Sequence, residues 1–67
     1  MTETKNILGR KISLIRKEKG LTLEEFGKIF NASKGVISNW ESGRNVPSNE
    51  RLKKIAELGN TTVEELL

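Results

Sequence analysis

The sequence predicts a small all-α domain of five short helices. Three observations carry this prediction. Apolar residues recur at helical spacing along most of the 67 residues. Hydroxyl side chains stand where helices would begin, and Gly or Asn where they would end. No segment shows the sustained apolar–polar alternation of a half-buried strand.

The first helix spans about residues 5–19. Leu8, Ile12 and Ile15 fall at i, i+4 and i+7 on one face, and Ile7 and Leu14 widen the stripe. Arg10, Lys11, Arg16 and Lys17 lie mostly off it. Lys17 and Lys19 stand in the last turn, where cations suit the helix macrodipole. Gly20 supplies a left-handed stop.

The second helix spans 22–30. Thr22 and Glu25 form a T-x-x-E capping box. Leu23, Phe26, Gly27 and Phe30 lie at i, i+3, i+4 and i+7. Gly27 costs about 1 kcal/mol against Ala in a helix interior, which implies close approach by another helix. Asn31 ends the segment, because Asn tolerates positive φ better than other side chains. The third helix spans 33–42, with Ser33 as N-cap, Val36, Ile37 and Trp40 on the apolar side and Gly43 as stop. Trp40, the sole Trp, is read as core or boundary packing. Only Asn31 to Ser33 separate the two segments, and a joint that short has helix-turn-helix spacing.

The stretch from Arg44 to Ser48 reads as a loop, with Pro47 just ahead of a Ser48 cap. The fourth helix spans 49–58, with Leu52, Ile55 and Ala56 apolar, and Gly59-Asn60 breaks it. The fifth spans 62–67. Thr61 and Thr62 each head a T-x-x-E pattern, to Glu64 and Glu65. Leu66 and Leu67 either close the core or contribute to self-association. Residues 1–67 are thus expected to form one domain, stabilised by mutual packing rather than by propensity.

Composition narrows the function classes. There is no Cys and no His. That removes disulfides, the usual ligands of a zinc site, and the commonest general base and nucleophile pairs. No metal and no cofactor are expected, and a binding module is favoured over an enzyme. No apolar run approaches the roughly 20 residues of a membrane span. Met1-Thr2-Glu3-Thr4 is polar with no apolar stretch behind it, so no secretory signal and no membrane partner are expected. The cytoplasm is the default location. The net charge is +3 and unevenly spread. Residues 5–44 carry nine Lys/Arg against four Glu, whereas residues 45–67 carry three against four. A basic half suits a polyanion, nucleic acid before an anionic membrane surface.

The residues then resemble a family. Ile12-x-x-Ile15-Arg16-Lys17-x-Lys19-Gly20-Leu21-Thr22-x-Glu24-Glu25-Phe26-Gly27 is followed by Ser33-x-x-Val36-Ile37-Ser38-Asn39-Trp40-Glu41-x-Gly43-Arg44. Pro47-Ser48, Leu52-x-x-Ile55-Ala56 and Val63-Glu64-Glu65-Leu66 complete the pattern. This ordered set resembles the lambda-repressor-like, Cro/XRE-type helix-turn-helix domains over nearly the whole chain. The resemblance implies a DNA-binding transcriptional regulator, often a phage or prophage repressor, that binds a double-stranded operator as a homodimer. Three positions depart from the pattern. Leu23 replaces a Gln that touches phosphate, Asn31 replaces a Gly, and Gly59 stands where a Leu is usual.

In that family's geometry the second helix of the pair lies in the major groove. The resemblance therefore places Lys34, Gly35, Val36, Ser38 and Asn39 as base readers. Lys34 suits guanine or a phosphate, Asn39 adenine or another edge, Ser38 most base edges and Val36 a thymine methyl. Gly35, without a side chain, permits only close backbone approach. Phosphate contacts are expected at Thr22, Leu23, Lys28, Ser33, Arg44 and Asn45, including the helix starts near Thr22 and Ser33 and the backbone from Gly43 to Asn45. Lys5, Arg10 and Lys11 are read as solvated, with a reach to phosphate as the lesser reading. Glu41 is an anion in the last turn of its helix, where the macrodipole disfavours it. The resemblance implies a partner in the first helix, and Arg16 matches it. The competing reading is an antitoxin or other protein-interaction module on the same fold. A further protein partner, or a C-terminal domain in a longer chain, would accompany either.

Overall fold

The computed structural model describes residues 3–67, with side chains from Ile7 onward. The Lys5 side chain lies outside the described residues. Five helices follow in order: α1 (Glu3–Glu18), α2 (Leu23–Ile29), α3 (Lys34–Ser42), α4 (Asn49–Leu58) and α5 (Val63–Leu66). No strand occurs among the described residues.

Local chemistry explains the starts. Thr22, Ser33, Ser48 and Thr62 are the N-caps of α2 to α5, and each side chain accepts the amide hydrogen three residues on. Each such bond satisfies an orphan amide of the first turn and is worth about 1 kcal/mol. The stops are left-handed residues: Gly20, Asn31, Gly43 and Asn60 have φ of 71°, 56°, 85° and 57°. At the end of α4 the left-handed residue is Asn60 rather than Gly59, whose φ is −89°. Gly59 serves packing instead. A Cβ there would lie 2.5 Å from Ile15 Cδ1, so a Leu at this place would push the Ile15 side chain aside.

One apolar core joins all five helices. Leu8, Ile12 and Ile15 of α1 meet Phe26 and Phe30, Ile37 and Trp40, Leu52, Ile55 and Ala56, and Leu66. Phe30 is the hub of an aromatic chain, edge-on to Phe26 with centroids 5.0 Å apart and to Trp40 at 5.4 Å. Edge-to-face pairs of this kind add specific geometry to area burial.

Three expectations are corrected here. Ile7 and Leu14 do not widen the core stripe; they are 44% and 60% exposed. Leu66 and Leu67 part company, Leu66 closing the core while Leu67 is exposed. Gly27 makes room for the turn that follows it, not for another helix. A Cβ on Gly27 would collide with the Ala32 carbonyl oxygen, and the Ala32 amide donates to the Gly27 carbonyl at 2.8 Å. The α2–α3 joint is folded back on α2 at this point. The helix that does need a glycine for close approach is α1. A Cβ on Gly9 would sit 2.7 Å from the Trp40 carbonyl oxygen, so the end of α3 rests directly on α1.

Candidate nucleic-acid interface

α3 turns one side inward and one outward. Ile37 and Trp40 are buried, which fixes the rotation of the helix. Lys34, Gly35 and Ser38 are then exposed, and Asn39 is half-buried beside them. Val36 is half-buried too, and packs against the core margin. Four of the five expected base readers thus share the outer side, and Val36 sits at its border.

The end of α3 is anchored by Arg16. Its Nε donates to Glu41 Oε2 at 2.6 Å and its Nη2 to Glu41 Oε1 at 3.2 Å, a bidentate pair. Both side chains are only 14% exposed. Arg16 Nη1 also donates to the Leu21 carbonyl at 2.8 Å, in the turn that leads into α2. One guanidinium therefore ties the approach to α2 to the end of α3. The Glu41 hydrogen bond raises the Arg16 pKa above its ordinary value, against the opposing effect of burial. This cation offsets the unfavourable place of Glu41 near the carbonyl end of α3.

The loop after α3 closes on itself. The Asn39 carbonyl accepts the amides of Gly43, Arg44 and Asn45, the last two at 2.9 and 3.2 Å. The amides from Gly43 to Asn45, expected to meet phosphate, thus already donate within the chain. The exposed Arg44 and Asn45 side chains are what this loop offers.

The two expected helix-start contacts also separate. At α2 the Thr22 amide donates to the Glu25 carboxylate at 2.9 Å, and the Glu25 amide donates to Thr22 Oγ1 at 3.0 Å. Glu24 and Glu25 both stand in the first turn. An incoming phosphate would meet two carboxylates there and a backbone amide already engaged. Leu23 packs its side chain against the core, as an apolar residue in the Gln position would. At α3 the Ser33 side chain accepts from Val36 alone, at 3.3 Å, and the first turn contains no acid. The amides of Lys34 and Gly35 have no partner among the described residues. Lys28 is exposed in the last turn of α2.

Basic residues of α1 that look alike in sequence are placed far apart. Arg10 and Lys17 of α1 line an open groove with Ser38 and Ser42 of α3, so they flank the outer side of that helix. Lys11 turns away and donates to the Glu65 carbonyl of α5 at 2.6 Å. A residue passed over in the sequence is Arg51. Its Nη2 donates to the Phe30 carbonyl at 3.3 Å, and its guanidinium lies 5.6 Å from the centre of the Trp40 ring. It thereby joins α4 to the ends of both α2 and α3. Only Gly9 had a local signal, since a glycine inside a helical pattern marks a close approach.

Comparison with known proteins agrees with this fold. A helix-turn-helix family model matches residues 12–66. The chain is 39% identical over 57 residues to the HTH-type transcriptional activator BcrR of Enterococcus faecalis, covering 85% of this chain and 28% of that protein. It is 35% identical over 60 residues to the uncharacterized HTH-type transcriptional regulator YazB of Bacillus subtilis, covering 90% and 87%. Among solved structures it is similar to the DNA-binding domain of BldD, with a TM-score of 0.77 and 28% identity over 100% of this chain and 97% of that one. It is also similar to the clp gene regulator ClgR of C. glutamicum, with a TM-score of 0.76 and 28% identity over 94% and 82%. The chain therefore spans nearly all of YazB and little more than a quarter of BcrR.

Proposed function

This chain belongs to the helix-turn-helix family, in its lambda-repressor-like Cro/XRE branch, and on that premise we propose that it is a sequence-specific, double-stranded DNA-binding transcriptional regulator. Its work is binding rather than chemistry. The observation that carries the reading is the outer side of α3. It combines an acid-free start, two unengaged amides, the Lys34 cation and the short polar side chains Ser38 and Asn39. Laid in the major groove, Lys34, Ser38 and Asn39 read base edges and Val36 reaches a thymine methyl from the border. Arg44, Asn45, Lys28 and the start of α3 at Ser33 hold phosphates on either side, with Arg10 and Lys17 behind them.

The proposed regulator acts as a homodimer on two half-sites of a palindromic operator, because one α3 reads only a few base pairs. We assign it the repressor role that the resemblance implies; the name of the Enterococcus relative gives the opposite sign. The competing reading as a protein-interaction module needs an apolar docking face. On the surface made by α4 and α5, α4 exposes Asn49, Glu50, Lys53, Lys54 and Glu57, and Leu67 is the one large apolar side chain exposed there among the described residues, which favours the DNA reading.

Selection from a random duplex pool, followed by a salt titration of the winner, tests the proposal. Enrichment of a palindrome with half-sites about 10 base pairs apart is expected, with affinity falling steeply as salt rises. A pool that enriches nothing, with weak binding indifferent to salt, overturns it. A promoter reporter carrying the selected site then gives the sign of regulation.

A further inference from the structure

The six glycines of the chain divide unequally. Gly20 and Gly43 hold positive φ, where a side chain would be strained. Gly9 and Gly27 lie against backbone carbonyls, and Gly59 lies against Ile15. Five glycines thus have a reason inside the molecule. Gly35 has none. Its backbone is helical, it is exposed, and among the described residues a Cβ built on it would meet only Ser33 Oγ, at an ordinary 3.7 Å.

Glycine destabilises a helix relative to Ala, since it has more freedom to lose on folding. Where no internal contact requires it, the cost has to be offset outside the folded chain. Gly35 stands one helical turn before Ser38 and Asn39, on the same outer side. A surface that touches those two side chains passes over Gly35, and the distance of closest approach is set there by a bare Cα.

Resting on the DNA reading above, we propose that Gly35 is a specificity-determining residue whose missing side chain is the recognition element. The bare Cα accepts the C5-methyl group of a thymine in the major groove. That methyl is the apolar projection on a base edge and the feature that most needs space. A Cβ at residue 35 would occupy the same volume.

Gly35→Ala separates fold from recognition. Its thermal midpoint should rise by roughly 2–6 °C, as for Gly→Ala at an unstrained helical site. Its affinity for the duplex selected by the wild-type chain should fall at least about tenfold, the cost of a mismatched base pair. Replacing one thymine of that duplex by deoxyuridine, which lacks the methyl, should weaken the wild-type chain and restore binding to the variant. A variant that binds the selected duplex within about twofold of wild type overturns the proposal, because a clash at a base edge costs more. So does a lowered thermal midpoint, which would reveal an internal role for Gly35, or a loss that no deoxyuridine position relieves. All three outcomes leave the DNA reading intact. That reading fails earlier, if the wild-type chain selects no duplex.

Discussion

α2 and α3 begin alike and present opposite faces to a partner. Each starts at a hydroxyl N-cap in extended backbone, Thr22 at φ −77° and Ser33 at φ −77°. At α2 the cap is reciprocal and the first turn carries Glu24 and Glu25. At α3 the cap is one-sided, with no acid in the first turn. Both arrangements satisfy a helix start, and acids near the amino end favour the macrodipole of α2. Both leave their first two helical amides without a partner among the described residues, but only at α3 is no carboxylate beside them. The difference teaches that the charges of the first turn, more than the cap, decide whether a helix start stays open to an anion.

The largest effect should come from removing the residue that serves both helices. Arg16→Ala leaves the half-buried Glu41 without its partner and frees the Leu21 carbonyl. Losing these charge-assisted hydrogen bonds should cost about 2 kcal/mol, read as a lower urea midpoint. DNA affinity should fall with it, since the outer side of α3 loses its anchor. An unchanged midpoint would mean that α3 is held by packing alone.

The next test gives α3 the start that α2 has. Lys34→Glu places an acid in the first turn of α3, and stability should hold or rise by a few tenths of a kcal/mol. Affinity for the selected duplex should fall at least about tenfold, and the salt dependence should flatten. Glu24→Lys, the mirror change in α2, should alter binding far less. Equal effects of the two would erase the distinction between the helix starts.

The smallest effect concerns α5, remote from both. The Thr61 hydroxyl donates to Glu65 Oε1 at 2.6 Å. That bond, with the backbone bond at Thr62, lowers the Glu65 pKa below its ordinary value. A depressed carboxyl contributes stability above its unfolded pKa and loses it as pH falls through the folded one. Thr61→Ala should therefore lower the thermal midpoint slightly near neutrality and by progressively less as the pH falls through the folded pKa and the carboxyl is protonated. A loss of equal size at both pH values would assign the effect to packing.

Much of the fold was legible because its signals are short. The caps at Thr22, Ser33 and Ser48 and the left-handed Gly20, Asn31 and Gly43 each act within a few residues. The stripe of α1 was overextended, since Ile7 and Leu14 are apolar and the helix has fewer neighbours than its sequence suggests. The outer residues of α3 were legible once Ile37 and Trp40 set its rotation. The supporting contacts were not. Lys11 finds its partner 54 residues away, Arg16 at 25 and Arg51 at 21. Apart from the Arg16 match supplied by family resemblance, no local pattern encodes them.

The order of the helices and the places where they start and stop follow from the sequence by itself, because capping and left-handed stops are satisfied within one turn. Which side chains are held by distant partners was decided only in the tertiary structure. The Thr22 amide and the loop amides after α3 are engaged by neighbours a few residues away, whereas the Lys11 ammonium and the Arg16 and Arg51 guanidiniums are engaged by groups that folding brings to them. A side chain's donor capacity is written in its chemistry; whether it is already used depends on what packs beside it.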